Sequence, residues 1–146
     1  MKPVTLEHSV EIDRPVEDVF AVVADPRNDA KWCPRVSDCE QRQGEAPAVG
    51  ASYDVTHRPT LHRPHTRRIE LIDFEPPTRV RSRQRDKVAE FTITYLLEAR
   101  RGATVLTQRD DIRFRTPLHR LVGKPIIRRH MGDQLENLKR LLERKA

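Results

Sequence analysis

The sequence predicts an α+β fold: seven antiparallel strands forming a curved sheet around a long C-terminal helix, with two short helices between the first and second strands. Three observations carry this. Residues 10–36, VEIDRPVEDVFAVVADPRNDAKWCPRV, pass from alternation with period 2 to a proline-started period of 3.6 and end just past a tryptophan. The middle of the chain is a succession of short extended runs separated by glycine and proline. From Thr116 onward the period is helical again.

Val4, Leu6, His8, Val10 and Ile12 alternate with Thr5, Glu7, Ser9, Glu11 and Asp13, the pattern of a half-buried strand carrying one polar residue on its apolar face. Pro15 opens a helix, where its missing N–H removes no intrahelical bond. Val16, Val19, Phe20 and Val23 give that helix an apolar stripe, and Glu17 and Asp18 sit at the positive end of its dipole. Asp25-Pro26 ends it, and a second short helix leads to Trp32. Further strands are expected near 35–43, 50–58, 66–75, 79–86, 89–99 and 104–114. Turns come from Gly44 to Gly50 around Pro47, from Pro59 and Pro64, from Pro76-Pro77 and from Arg101-Gly102. In the last helix Leu118, Leu121 and Val122 precede Pro125, which either kinks the helix or starts its main segment. Ile127, Met131, Leu135, Leu138, Leu141 and Leu142 follow it. Gly132, inside that helix, costs about 1 kcal/mol relative to alanine and leaves space for close packing or for a ligand.

At 146 residues the chain reads as one domain, 1–146, able to bury a core without staples. Lys and Arg total 28 against 22 Asp and Glu, a net charge of +6 that permits contact with anionic partners without establishing one. Cys33 and Cys39, with no CxxC spacing, are expected to be reduced thiols, which together with the lack of a signal-type leader or a membrane-length apolar segment points to the cytoplasm. His57, His62 and His65 share a proline-bearing segment with no cysteine or carboxylate in it, so no metal is expected there.

The segments PVEDVFAVVADPRNDAKWCPRV, VGASYDV, FEPPTRV, RRGATV and LENLKRLLE, in this order and spacing, resemble the START-like, or SRPBCC, superfamily over nearly the whole chain. The resemblance implies a helix-grip fold with a deep, mostly apolar cavity between the sheet and the last helix. Relatives in that superfamily include polyketide aromatase/cyclases, lipid and sterol carriers, coenzyme Q-binding proteins and plant hormone receptors. No catalytic motif of a single branch is present, so the resemblance implies a cavity and not a reaction.

Alternation along each strand assigns the residues that face this cavity. His8 is selected on the first strand, and Tyr53, Val55 and His57 on the third. Ser82 and Gln84 face inward on the fifth, with Arg79, Arg81, Arg83 and Arg85 on its solvent side. Phe91, Ile93 and Tyr95 line the sixth, while Gln108 and Asp110 lie between Leu106 and Ile112 on the seventh. The strand at 66–75 is left open, because Ile69 and Leu71 favour one register and Ile72 and Phe74 the other. The helices contribute Phe20, Trp32, Met131 and Leu135. These residues fit a protein that binds a small hydrophobic molecule, such as a polyketide, lipid or aromatic metabolite, without a cofactor. Two alternatives are a polyketide cyclase or dehydratase using His8, Asp110 or a tyrosine as acid and base, and a basic module docking on RNA or an acidic partner. Nucleic acid is the less expected partner, since no aromatic residue interleaves with the 79–85 arginines.

Overall fold

The computed structural model describes residues 2–44, 46–58 and 64–144. Strand β1 (Val4–Ile12) is followed by helix α1 (Val16–Val23) and a 3₁₀ turn (Pro26–Lys31). Strands β2 (Val36–Gln43), β3 (Ser52–His57), β4 (His65–Glu75), β5 (Arg79–Arg85), β6 (Ala89–Arg100) and β7 (Ala103–Phe114) come next, and helix α2 (Pro117–Arg144) ends the chain. The strands form one antiparallel sheet in the order β1-β7-β6-β5-β4-β3-β2, so β1 and β2 are its edges. This is the helix-grip arrangement the sequence predicts.

Local chemistry fixes the junctions. Pro15 occupies the cap position before α1, and Asp25 caps the 3₁₀ turn by accepting from the Arg27 N–H at 3.0 Å. Arg14 donates to the Leu142 carbonyl and to Asp18, both at 2.8 Å, tying the start of α1 to the end of α2. Thr116 Oγ accepts from the His119 N–H at 3.1 Å at the start of α2. Helix α2 runs unbroken through Pro125, which lies on its exposed side. The bond that a proline cannot give to the Leu121 carbonyl is lost among exposed residues and the helix continues past it, so the proline neither starts the helix nor ends it.

Two apolar clusters fill the concave face of the sheet. The larger joins Ile12, Val19, Phe20, Trp32, Tyr53, Val55, Ile69, Leu71, Leu106, Leu135 and Leu138; the smaller joins Val4, Leu6, Phe91, Ile93, Ile112, Phe114 and Met131. Tyr95 packs against both. The ambiguity of β4 is resolved by a β-bulge between Leu71 and Asp73: Ile69 and Leu71 are buried before it, and Phe74 turns to the core after it, edge-on to Phe20 at 5.5 Å. Each register proposed for that strand holds on one side of the extra residue.

The two glycines of α2 behave oppositely. A Cβ on Gly123 would lie 2.8 Å from the buried Phe114 ring, whereas one on Gly132 would meet His8 Cε1 at an ordinary 3.8 Å. Gly132→Ala should therefore raise stability by up to about 1 kcal/mol through helix propensity. Gly123→Ala should lower it by about 1–2 kcal/mol, because overpacking against a held ring outweighs the same gain. Urea midpoints of the two variants shifting in the same direction would contradict this packing.

Candidate functional site

A band of polar side chains crosses the concave face between the two apolar clusters. Alternation places Ser82 and Gln84 inward from β5, Tyr95 from β6, and Gln108 and Asp110 from β7; Ser82, Gln84, Gln108 and Asp110 are each less than a tenth exposed. Arg67 joins them from β4, in phase with Ile69 and Leu71.

Arg67 organises one end of the band. Its Nη2 donates to Asp86 at 2.6 Å, its Nη1 donates to Gln84 Oε1 at 3.2 Å, and its guanidinium lies 4.8 Å from the centre of the Phe91 ring. The pair is largely buried, with side chains 12% and 13% exposed. Burial pulls Arg67 below its ordinary value, opposed by the charge and hydrogen bond of Asp86. An arginine keeps its proton through such a shift, so the interior holds a permanent cation. Its Nε–H has no hydrogen-bond partner among the described residues. Asp86 is held in turn by the N–H groups of Val88 and Ala89 at 2.8 and 2.9 Å. Gln84 passes the chain on to Ser82 at 3.4 Å.

Asp110 marks the other end. It is 3% exposed and accepts from Gln108 Nε2 at 3.0 Å. Burial pushes its carboxyl up to about 6, against the opposing effects of the Gln108 hydrogen bond and the Arg67 charge. Gln108 Oε1 is buried without a partner among the described residues. The Tyr95 phenol is pushed well above its ordinary value, first by burial and then by negative charge at Cys33, Asp29 and Asp110.

Asp29, in the 3₁₀ turn, supplies a second interior carboxyl. It lines a small hollow with Ser82, Gln84 and Tyr95 among apolar Val23, Leu71 and Val80, and burial raises it well above the ordinary carboxylate range. The hollow measures about 20 Å³. A larger hollow of about 340 Å³ lies outside the band, where Trp32 and Pro34 meet Asn137, Arg140 and Arg144. It is the roomier of the two; the smaller is lined by Asp29, Ser82, Gln84 and Tyr95, while Arg67, Gln108 and Asp110 stand outside its lining.

Of the residues selected from the sequence, His8 departs most. It shares the inner face of β1 and pairs in register with Gln108, yet it is exposed, and no hydrogen bond joins it to Asp110 among the described residues. The reason is local: β1 is an edge strand, and the helix passing over the His8 ring presents Gly132 there, with no side chain to cover it. His57 is half-buried and stacks on His65 at 5.8 Å; burial first, then the Arg67 and His65 charges, hold it down to about 3, a neutral ring. His62 lies outside the described residues. Tyr53, wholly buried, has a hydroxyl without a partner among the described residues and is pushed up to about 12 by burial and the Asp25 charge. Phe20, Val55, Trp32 and Leu135 fill the larger cluster, with Trp32 edge-on to Tyr95 at 6.1 Å, while Phe91, Ile93 and Met131 fill the smaller. The thiols are poor nucleophiles: burial raises Cys33 well above its ordinary value and Cys39 to about 12.

Arg67, Asp86 and Asp29 escape the sequence reading. Arg67 had a usable signal, its two-residue phase with Ile69 and Leu71; Asp29 sits in a 3₁₀ turn, where no period marks an inward side chain.

The fold matches solved structures of several proteins. The Zhui aromatase/cyclase from Streptomyces sp. R1128 superposes with a TM-score of 0.84 at 16% identity, covering 98% of this chain and 95% of that one. Protein CV1439 from Chromobacterium violaceum gives 0.74 at 19%, covering 95% and 96%. The di-domain aromatase/cyclase StfQ from the steffimycin biosynthetic pathway gives 0.80 at 14%, covering 99% of this chain and 52% of that one, so this chain spans about half of it. No curated protein matches. A family profile described as polyketide cyclase/dehydrase and lipid transport matches residues 3–143, and the chain belongs to that family.

Proposed function

We propose that the protein binds a small, planar, oxygen-bearing hydrophobic molecule, of polyketide or aromatic-metabolite character, between the concave face of the sheet and α2. The observation that carries this reading is the buried Arg67, a cation over the Phe91 ring with one N–H unused, in an interior otherwise furnished with amide, hydroxyl, phenol and carboxyl groups. Apolar walls give affinity, and Arg67, Ser82, Gln84, Tyr95 and Gln108 orient ligand oxygens. Fold neighbours described as aromatase/cyclases support the ligand class. The 20 Å³ hollow has room for about one water, so entry requires its cover to lift. That cover is the end of α1 and the 3₁₀ turn, through Val23, Ala24, Pro26 and Asp29.

A second reading, a cyclase or dehydratase, is favoured by Asp110, whose value near 6 suits proton transfer at neutral pH. In that reading ionised Asp110 takes a proton from a carbon flanked by carbonyls. Arg67 stabilises the enolate, which forms a C–C bond to a second carbonyl. Tyr95 or the protonated Asp29 returns a proton to the alkoxide, and water is then lost. The arginine face of β5 supports an RNA-docking reading less, because Arg79 pairs with Asp73 and Glu75, Arg85 with Glu90, and Arg81 donates to Thr94.

Native mass spectrometry of freshly purified protein should show a retained aromatic or polyketide-like mass. Candidate substrates should then be turned over by the native protein and by His8→Ala, with Asp110→Asn at least about a hundredfold slower. Stoichiometric binding without turnover removes the enzyme reading. Failure to bind any oxygenated aromatic removes both.

A further inference from the structure

We propose that the N-terminal half of α2 is a docking surface for an anionic lipid bilayer, a property independent of what the interior binds. In the C-terminal half of this helix Met131, Leu135, Leu138 and Leu142 are buried against the sheet. At 100° per residue, Leu118, Leu121, Val122 and Ile126 share one side of the helix, with Leu118, Val122 and Ile126 turned away from that face and Leu121 on its flank. They are 66%, 75%, 53% and 47% exposed. The side of the helix that a water-facing pattern would make polar is thus an aliphatic stripe two turns long.

The charge around the stripe is of one sign. Between Asp111 and Asp133 the sequence holds no Asp or Glu, but it holds Arg113, Arg115, Arg120, Lys124, Arg128 and Arg129. None of these six cations forms an ion pair among the described residues, unlike Arg79 and Arg85 of β5. Arg115, just before the helix, and Arg128 and Arg129, just after the stripe, are exposed. A helix lying in the plane of a bilayer places such a stripe among acyl chains and its flanking cations among anionic headgroups. A second copy of this chain would bring the same cations against each other. An acidic protein would satisfy the charge, but the stripe lacks the aromatic anchors on which protein interfaces concentrate their binding energy. No helix of the described residues is long and apolar enough to cross a membrane, so the contact is one of surface docking.

The test is flotation of the full chain with phosphatidylcholine vesicles, with and without phosphatidylserine. The protein should float with the anionic vesicles only, and salt should weaken the association. Leu118→Ser/Leu121→Ser should reduce partitioning about tenfold or more. Arg128→Ser/Arg129→Ser should reduce it about thirtyfold. Arg81→Ser/Arg83→Ser, on the sheet, should leave it within about twofold, since those side chains lie off the docking face. All six substituted side chains are exposed, and circular dichroism confirms that each variant is folded. Absence of flotation, equal flotation with neutral vesicles, or equal loss in the β5 variant overturns the proposal. So does a dimer, or a complex with polyglutamate, that depends on Leu121 while vesicles are ignored.

Discussion

Arg67→Met should lower the melting temperature by roughly 10 °C, equivalent to about 3 kcal/mol, and cut affinity for a hydroxylated anthraquinone probe about tenfold to a hundredfold. Both effects follow from one side chain serving two ends. Its bond to Asp86, at 2.6 Å with both groups nearly out of water, is a pair whose disruption leaves a buried carboxylate short of a partner. The N–H groups of Val88 and Ala89 remain on Asp86 and keep the loss at the low end of the range for such pairs. Methionine preserves much of the apolar stem against Phe91, so the measured change isolates the guanidinium. The ligand effect has a separate origin: the unpartnered Nε–H is the donor that a carbonyl or phenolate oxygen would take. A double-mutant cycle with Asp86→Ala separates the two, because the stability terms should couple by at least about 1 kcal/mol. Strict additivity would show the pair to be no more than a surface contact, and unchanged probe affinity would remove Arg67 from the site.

That a residue of this consequence escaped the sequence reading has a physical cause. The strands were legible because each alternates apolar with polar side chains between turn residues, and β5 to β7 could be assigned a face from Val80, Phe91, Leu106 and Ile112 alone. Burial then follows for Ser82, Gln84, Gln108 and Asp110. Strand β4 carries the same information, but the bulge after Leu71 reverses its phase midway, so a strand-long comparison of the two registers cancels. Arg67 was lost with it. Asp29 was illegible for another reason: a six-residue 3₁₀ turn has no face to count, and only the fold brings it to the hollow that Val80 and Tyr95 also line. His8 shows the reverse limit. Its phase on β1 is as expected, but exposure depends on what crosses above, and a glycine does.

Asp110→Asn should stabilise the protein at pH 8 relative to pH 4, by up to about 3 kcal/mol, while reducing any proton-transfer activity. The sign follows from proton counting. In the unfolded chain this carboxyl ionises near its ordinary 3.8, whereas in the folded protein it holds its proton up to about 6. Between those values the folded state binds more protons than the unfolded one, so raising the pH draws the equilibrium toward unfolding. The stabilisation attached to the proton is complete below pH 4 and lost as the pH rises through 6. An amide cannot ionise, so the variant escapes that loss while keeping the shape of the side chain and a partner in Gln108. Asp29 acts in the same direction and stays in the variant, which leaves a residual decline between its ordinary value and its own raised one. The measurement is the difference in melting temperature between variant and native protein at the two pH values, which should be roughly 10 °C larger at pH 8. An equal difference at both would mean that Asp110 is ionised at little cost, paired or wet, and it would then have no proton to exchange with a ligand near neutrality. A carboxyl that destabilises the fold throughout the physiological range is explained by packing only if something else needs it, and the strain it adds is the physical argument for placing the ligand beside it.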